Sequence, residues 1–197
     1  MREDDCVSLN WYELRVIQPL SIPDVWIYTP NRVEDSRGWF SETFNAAALA
    51  DALQGVVFVQ DNQSFSRARG TLRGMHFQSP PKAQDKLLRV LRGSALDVAV
   101  DLRRRSPTYG KAVTAVLSAE TGAQIFVPRG FAHGFLTLEP DTEVLYKVSE
   151  YWSAEHERGL AWDDPSLEID WMLPTGDVIA TPRDRAFPRF ADLPAYF

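Results

Sequence analysis

GTLRGMHFQ, residues 70–78, puts a histidine, an arginine and a glutamine in one short run with two turn-forming glycines. Five residues separate Gly70 from His76, and one more leads to Gln78. The spacing is that of half a metal-binding cassette whose second ligand has been replaced. An amide is a feeble transition-metal ligand. What the segment does therefore depends on which groups stand where the other ligands would be.

Outward from this run, the chain reads as short extended segments separated by turn residues. They are VWIYTP (25–30), FSETF (40–44), VVFVQDN (56–62), KLLRVLRG (86–93), ALDVAVDL (95–102), AVTAVLS (112–118), AQIFVP (123–128), HGFLTL (133–138) and TEVLYKVSEYW (142–152). Runs rich in Val, Phe, Leu and Tyr, bounded by Gly, Pro, Ser and Asp and recurring every ~10 residues, predict an all-β sandwich or barrel. One helix is expected over 45–55, with Asn45 as N-cap and Gly55 as terminator. From about residue 175 to 197 the pattern decays into Pro- and Arg-containing coil, too short for a second domain. A single domain over 1–197 with a wrapping C-terminal tail is expected.

Acids exceed bases by six among 197 residues, so no positive field invites nucleic acid or an anionic membrane. The single cysteine, Cys6, excludes an intramolecular disulfide framework and suits a reducing compartment. No apolar run approaches the ~20 residues that span a bilayer, and the acidic N-terminus does not read as a signal peptide. A cytoplasmic location is expected. Arg103-Arg104-Arg105 reads as a solvated turn, with a phosphate contact as the alternative.

The replaced ligands carry chemistry. Six residues separate Lys86 from Gly93, and Gly122 is followed by Pro128, Gly130 and His133. These spacings resemble the two cupin motifs, G-x5-H-x-H…E-x6-G and G-x5-P-x-G-x2-H, with ligand positions occupied here by His76, Gln78, Lys86 and His133. An ammonium has no lone pair and repels a metal ion, so no metal and no cofactor are expected. In KLLRVLR, Lys86 shares a strand face with Leu88 and Val90, which points an amine inward. Burying it requires an anionic partner. Tyr146 likewise shares a face with Val144 and Val148.

Several further blocks, DSRGWFSETF (35–44), VQDNQSFS (59–66), AQDKLLRV (83–90), FVPRGFAHGF (126–135), LYKVSEYW (145–152) and ERGLAWDDPSLEIDW (157–171), resemble the dTDP-4-dehydrorhamnose 3,5-epimerase family in order and over nearly the whole chain. The resemblance implies a cupin-type jelly roll with few short helices. It also implies cofactor-independent epimerisation at C3 and C5 of a dTDP-linked 4-keto-6-deoxy sugar. By position, His76 is the general base, Asp164 the carboxylate that orients it, Tyr146 the general acid, and Lys86 and Arg73 the groups holding the sugar near its ketone. Arg37, Glu42, Gln60, Asp61, Asn62, His133, Glu157 and Arg183 fall on nucleotide-sugar-binding positions. A homodimer is implied, with an N-terminal strand crossing to line the partner's site.

The chemistry suits these residue types. A ketone acidifies the hydrogens on neighbouring carbons, a base removes one, and a proton returns from the opposite face. Histidine, with an ordinary pKa near 6.5, is apt as the base. The chain departs from the family in reading Tyr151-Trp152 where a tyrosine pair is common, and Met172 where proline is usual. The alternatives are an epimerase acting at one carbon or on another 4-keto sugar, a metal-dependent cupin, and a non-catalytic sugar-nucleotide-binding module.

Overall fold

The computed structural model describes residues 16–197; Cys6 lies outside them. The described residues form strands β1 (Val16–Pro19), β2 (Trp26–Thr29), β3 (Val33–Asp35), β4 (Gly38–Phe40), β5 (Gln60–Ser66), β6 (Leu72–Gln78), β7 (Lys86–Arg92), β8 (Ser94–Asp101), β9 (Ala112–Ser118), β10 (Gln124–Val127), β11 (Phe131–Thr137), β12 (Thr142–Val148) and β13 (Glu157–Gly159), with short helices α1 (Ala50–Leu53) and α2 (Pro182–Arg185). A six-stranded sheet, β1-β2-β10-β7-β12-β5, faces a five-stranded sheet, β13-β6-β11-β8-β9, and β3-β4 is a separate hairpin. All paired strands are antiparallel. This is the expected all-β, cupin-type jelly roll.

Strand β8 shows how the layers are built, because all eight of its residues are buried. Leu96, Val98 and Val100 face one way, into a cluster with Leu72, Met75, Phe77, Trp162 and Trp171. The tail closes that cluster through Leu173, Phe190, Leu193, Tyr196 and Phe197. Ala95 and Ala99 face the other way, against Leu88, Val113, Leu117, Ile125 and Phe135 between the sheets. A strand covered on both faces reads as nearly continuous apolar sequence, as ALDVAVDL does. A third cluster joins Trp26, Tyr28, Leu87 and Phe126 to Leu49 and Leu53 of the 45–55 segment.

Several expectations change at the edges. The predicted helix over 45–55 shrinks to α1: Asn45 Oδ1 accepts from Ala48 N at 3.2 Å, but only Ala50–Leu53 complete a helical turn. In FSETF only Phe40 is strand, and β5 starts at Gln60 rather than Val56. Arg103 is not a solvated turn residue. It donates to both oxygens of fully buried Asp101 at 2.9 and 2.8 Å and to Asp24 at 2.7 Å, and it lies over Phe131.

Gly74 is no turn glycine either, since it lies inside β6. A Cβ there would come within 2.5 Å of Gly134 Cα on β11, and its φ of +145° suits glycine alone. The close approach accompanies a register shift in β11 between His133 and Phe135, and leaves His133 directly opposite His76. Gly74→Ala is expected to lower stability by about 1–3 kcal/mol through overpacking, read as a shifted midpoint in chemical denaturation.

Candidate active site

Between the two sheets opens a cleft of about 590 Å³, lined among others by His76, Lys86, His133, Tyr146, Arg73 and Asp184. The first sheet supplies Lys86 from β7, Tyr146 from β12, and Gln60 and Asn62 from β5. The second supplies His76 from β6, His133 from β11 and Glu157 from β13. His76 and Tyr146 therefore come from opposite walls.

His76 Nε2 lies 2.8 Å from Asp184 Oδ1, and Asp184 is nearly buried. With Nε2–H donating to the carboxylate, Nδ1 is left as the basic nitrogen. The Phe187 ring packs edge-on to the imidazole at 5.5 Å, in space left by Gly159, where any Cβ would strike that ring. Burial raises the Asp184 pKa, but the hydrogen bond and charge of His76, the Thr181 hydroxyl and the Arg183 charge together outweigh it and hold the carboxyl below its ordinary value.

Asp164 does not fill this role, contrary to expectation. It caps the 3-10 turn Pro165–Leu167, accepting from Ser166 N at 2.9 Å and Ser166 Oγ at 2.8 Å, while its other oxygen accepts from Phe190 N at 2.7 Å. Asp164 thus pins the tail, and the tail brings Asp184 to His76. The sequence signal for Asp184 was its place beside Arg183 in TPRD, within a helix start capped by Thr181.

A second histidine–carboxylate pair lies deeper. His133 Nε2 sits 3.0 and 2.9 Å from the two oxygens of Asp97, which is fully buried. Burial keeps the His133 pKa below its ordinary value despite the carboxylate. Asp97 was also missed, although an acid inside ALDVAVDL was a visible anomaly. Lys86 donates to the carbonyl of His76 at 3.2 Å. Burial brings its pKa down to about 8, opposed by the charges of Asp97 and Glu157. These two carboxylates are the anionic partners that an inward lysine requires. Burial raises the Tyr146 pKa, so its phenol keeps its proton at neutral pH.

Gln78 is committed to the loops around it: Nε2 donates to the carbonyls of Lys82 (2.6 Å) and Tyr151 (3.2 Å), and Oε1 accepts from Ser153 N (2.6 Å). Arg73 is braced by Ser66 Oγ at 3.2 Å and the Phe65 carbonyl at 3.0 Å. At the cleft mouth, Glu157 pairs with Arg183 at 2.8 Å and accepts from Trp152 Nε1 at 3.3 Å. Gln60 and Asn62 bond to each other at 2.8 Å. Asp61 does not join them, because strand alternation turns it to the opposite face, where it pairs with Lys147 at 3.0 Å. Arg37 and Glu42 lie outside the cleft of this chain; Arg37 sits on the β3-β4 hairpin, paired with Asp35.

A jelly roll holding a carboxylate-backed histidine, a protonated tyrosine and a buried cation around one cleft has the groups to take a proton from a bound molecule and return one to it. The chain matches the model of the dTDP-4-dehydrorhamnose 3,5-epimerase family over residues 19–192. It is 50% identical over 180 residues to the dTDP-4-dehydrorhamnose 3,5-epimerase of Sinorhizobium fredii, covering 91% of this chain and 92% of that one. A crystal structure of dTDP-6-deoxy-D-glucose-3,5-epimerase from Legionella pneumophila, in complex with dTDP-4-keto-L-rhamnose, superposes with a TM-score of 0.87 at 40% identity, covering 92% of this chain and 95% of that one. The Bacillus anthracis enzyme, with TDP and PPi bound, gives 0.86 at 43% identity, covering 89% and 99%. The chain belongs to the dTDP-4-dehydrorhamnose 3,5-epimerase family, and so to the isomerases.

The two aspartates should separate cleanly. Asp184→Asn is expected to lower kcat by up to about 10⁴-fold, the loss seen for Asp→Asn behind the histidine of a Ser-His-Asp triad. Asp164→Ala should cost about 1 kcal/mol of stability through loss of the cap, with the larger effect on thermal midpoint rather than kcat. Steady-state kinetics and thermal unfolding of both variants check this.

Lys86 generates a pH prediction. Its ammonium is present below about pH 8 and lost above it, so electrostatic help to a developing oxyanion declines on the alkaline side. The kcat/KM profile is expected to fall above about pH 8. In Lys86→Ala that limb should vanish along with most of the activity.

Proposed function

We propose that this chain inverts C3 and C5 of dTDP-4-dehydro-6-deoxy-D-glucose, giving dTDP-4-dehydro-L-rhamnose, without a cofactor. The observation that carries the mechanism is the placement of the His76–Asp184 pair and Tyr146 on opposite sheets across one cleft. His76 Nδ1 takes the proton beside the C4 ketone, and the electron pair moves onto the ketone oxygen. The Lys86 ammonium stabilises that enolate, an effect worth ~3 kcal/mol by comparison with single oxyanion-hole donors. Tyr146 returns a proton to carbon from the other face, which inverts the centre. Solvent then reprotonates the phenolate and takes the proton from His76, and the cycle repeats at the second carbon.

Arg73 and Lys86 hold the sugar near its ketone, and His133, kept largely neutral in its bond to Asp97, lies beside them. Gln60, Asn62, Glu157 and Arg183 bind toward the nucleotide. Trp152, more than half exposed at the rim, offers an indole face where the family commonly has a tyrosine. His76 and His133 each engage a carboxylate through Nε2, Gln78 is tied to backbone, and Lys86 is an ammonium; this donor set suits proton transfer better than metal ligation.

The protein works as a homodimer in the cytoplasm. Arg37 and Glu42, which lie outside this chain's own cleft, reach the partner's cleft; β1 pairs with β2 of its own chain, and the expected crossing strand before it lies outside the described residues. Exposed Trp39 and Phe40 on the same hairpin support this reading. No described helix is long and apolar enough to cross a bilayer.

Turnover of the dTDP-4-keto sugar in deuterated water tests the assignment. Deuterium is expected at both C3 and C5, and label at one carbon alone would reduce the activity to single-carbon epimerisation. His76→Ala should abolish exchange at both carbons while retaining dTDP binding by calorimetry.

A further inference from the structure

Among the residues lining the cleft, one polar group has no role in the mechanism above and no partner in the protein. Ser64 lies on β5, on the same face as Gln60 and Asn62, and its Oγ is buried without a hydrogen-bond partner. Buried hydroxyls are normally bonded, because water or protein replaces the bonds lost on desolvation. A hydroxyl left unmatched in a rigid strand at the wall of a binding cleft is a group awaiting a ligand.

The neighbours leave no other outlet for it. Directly across from Ser64 on β12 stands Val144, and Val90 stands beyond that on β7. Both are buried and apolar. Arg73, the cation bridging the sheets at this end, places Nε on Ser66 Oγ and Nη2 on the Phe65 carbonyl. The next cross-strand row holds Asn62, Tyr146 and Leu88, and the one after it Gln60, Val148 and Lys86. Ser64 thus lies one row beyond the proton-donating tyrosine, on the side away from Lys86. The nucleotide-facing groups, Trp152, Glu157 and Arg183, bond with one another and with Gln60, not with Ser64.

We infer that Ser64 Oγ binds an oxygen of the sugar ring's substituents and positions the hexose beneath Tyr146. It is a sugar-specific contact and not a nucleotide contact. The inference rests on the proposed 4-keto-sugar reading of the cleft, and extends it to a residue outside the acid–base machinery.

Ser64→Ala removes the hydroxyl and nothing else of size, in a strand where its loss leaves no protein group unpaired. The expected result is a five- to tenfold fall in kcat/KM for the dTDP-4-keto sugar, with dTDP affinity unchanged by calorimetry and the thermal midpoint unchanged or raised. An unaltered kcat/KM would overturn the inference. So would a lowered thermal midpoint with weakened dTDP binding, which would mark Ser64 as structural. If the wild-type protein binds dTDP but turns over no 4-keto sugar, the function reading fails instead, and that outcome is distinct because it precedes any comparison with the variant.

Discussion

The ammonium of Lys86 is buried, and burial of a cation is tolerated only where charge and hydrogen bonds compensate it. Lys86 starts from β7 in one sheet, but everything that compensates it lies in the other: the His76 carbonyl on β6, Asp97 on β8 and Glu157 on β13. The cation therefore constrains how the two sheets face each other at the cleft. Its partners are shared, since Asp97 also accepts from His133 and Glu157 also pairs with Arg183. A shift of either sheet would leave one of these charges uncompensated at low dielectric. The cleft's electrostatics and its shape are in this sense a single constraint.

The tail is the other half of that constraint. Ile179 exchanges backbone hydrogen bonds with Gly70 and Leu72, lengthening the edge of the sheet just before β6. Thr181 then caps α2, whose Arg183 and Asp184 reach Glu157 and His76. Further on, Asp164 holds Phe190, and Phe190 packs into the cluster behind β8. His76 is thus oriented by a residue more than one hundred positions away, held by a chain segment with almost no regular structure. Rigidity here comes from backbone hydrogen bonds and aromatic packing, not from helix or sheet.

This explains which parts of the site were legible in the sequence. His76, Lys86, Tyr146 and His133 sit inside regular strands, where alternation and motif spacing determine which way a side chain points. The same alternation shows why Asp61 leaves the cleft between Gln60 and Asn62. Asp164 is expected behind His76 and Asp184 is not, because outside the strands spacing carries no directional information. Gly74 was misread for a related reason. A glycine in sequence signals freedom or smallness, and only the facing Gly134 shows that smallness is what β6 and β11 need. The short α1 reflects a similar limit, since a helix-favouring composition over 45–55 does not reveal that packing on Trp26 and Leu87 uses Leu49, Leu53 and, partly buried, Ala52.

On the proposed assignment of His76 as base and Tyr146 as acid, one of each is enough for two inversions, and the reason lies in the sugar. In a 6-deoxy-D-gluco ring with its substituents equatorial, the hydrogens on C3 and C5 are both axial and point to the same face. The C4 ketone lies between them. A histidine on one wall can therefore reach either hydrogen, while a tyrosine on the opposite wall can return either proton. The enolate oxygen forms at C4 in both cases, so one fixed cation serves both steps. What must adjust between them is the placement of the ring by a small displacement within the cleft. On that assignment the protein's part is to hold its groups in place: Asp184 bonds His76, the charges of Asp97 and Glu157 favour the Lys86 ammonium, and β12 carries Tyr146. A wall built of strands, with its charged groups tied to one another, suits a reaction that needs a base, an acid and a cation at fixed places around one ring.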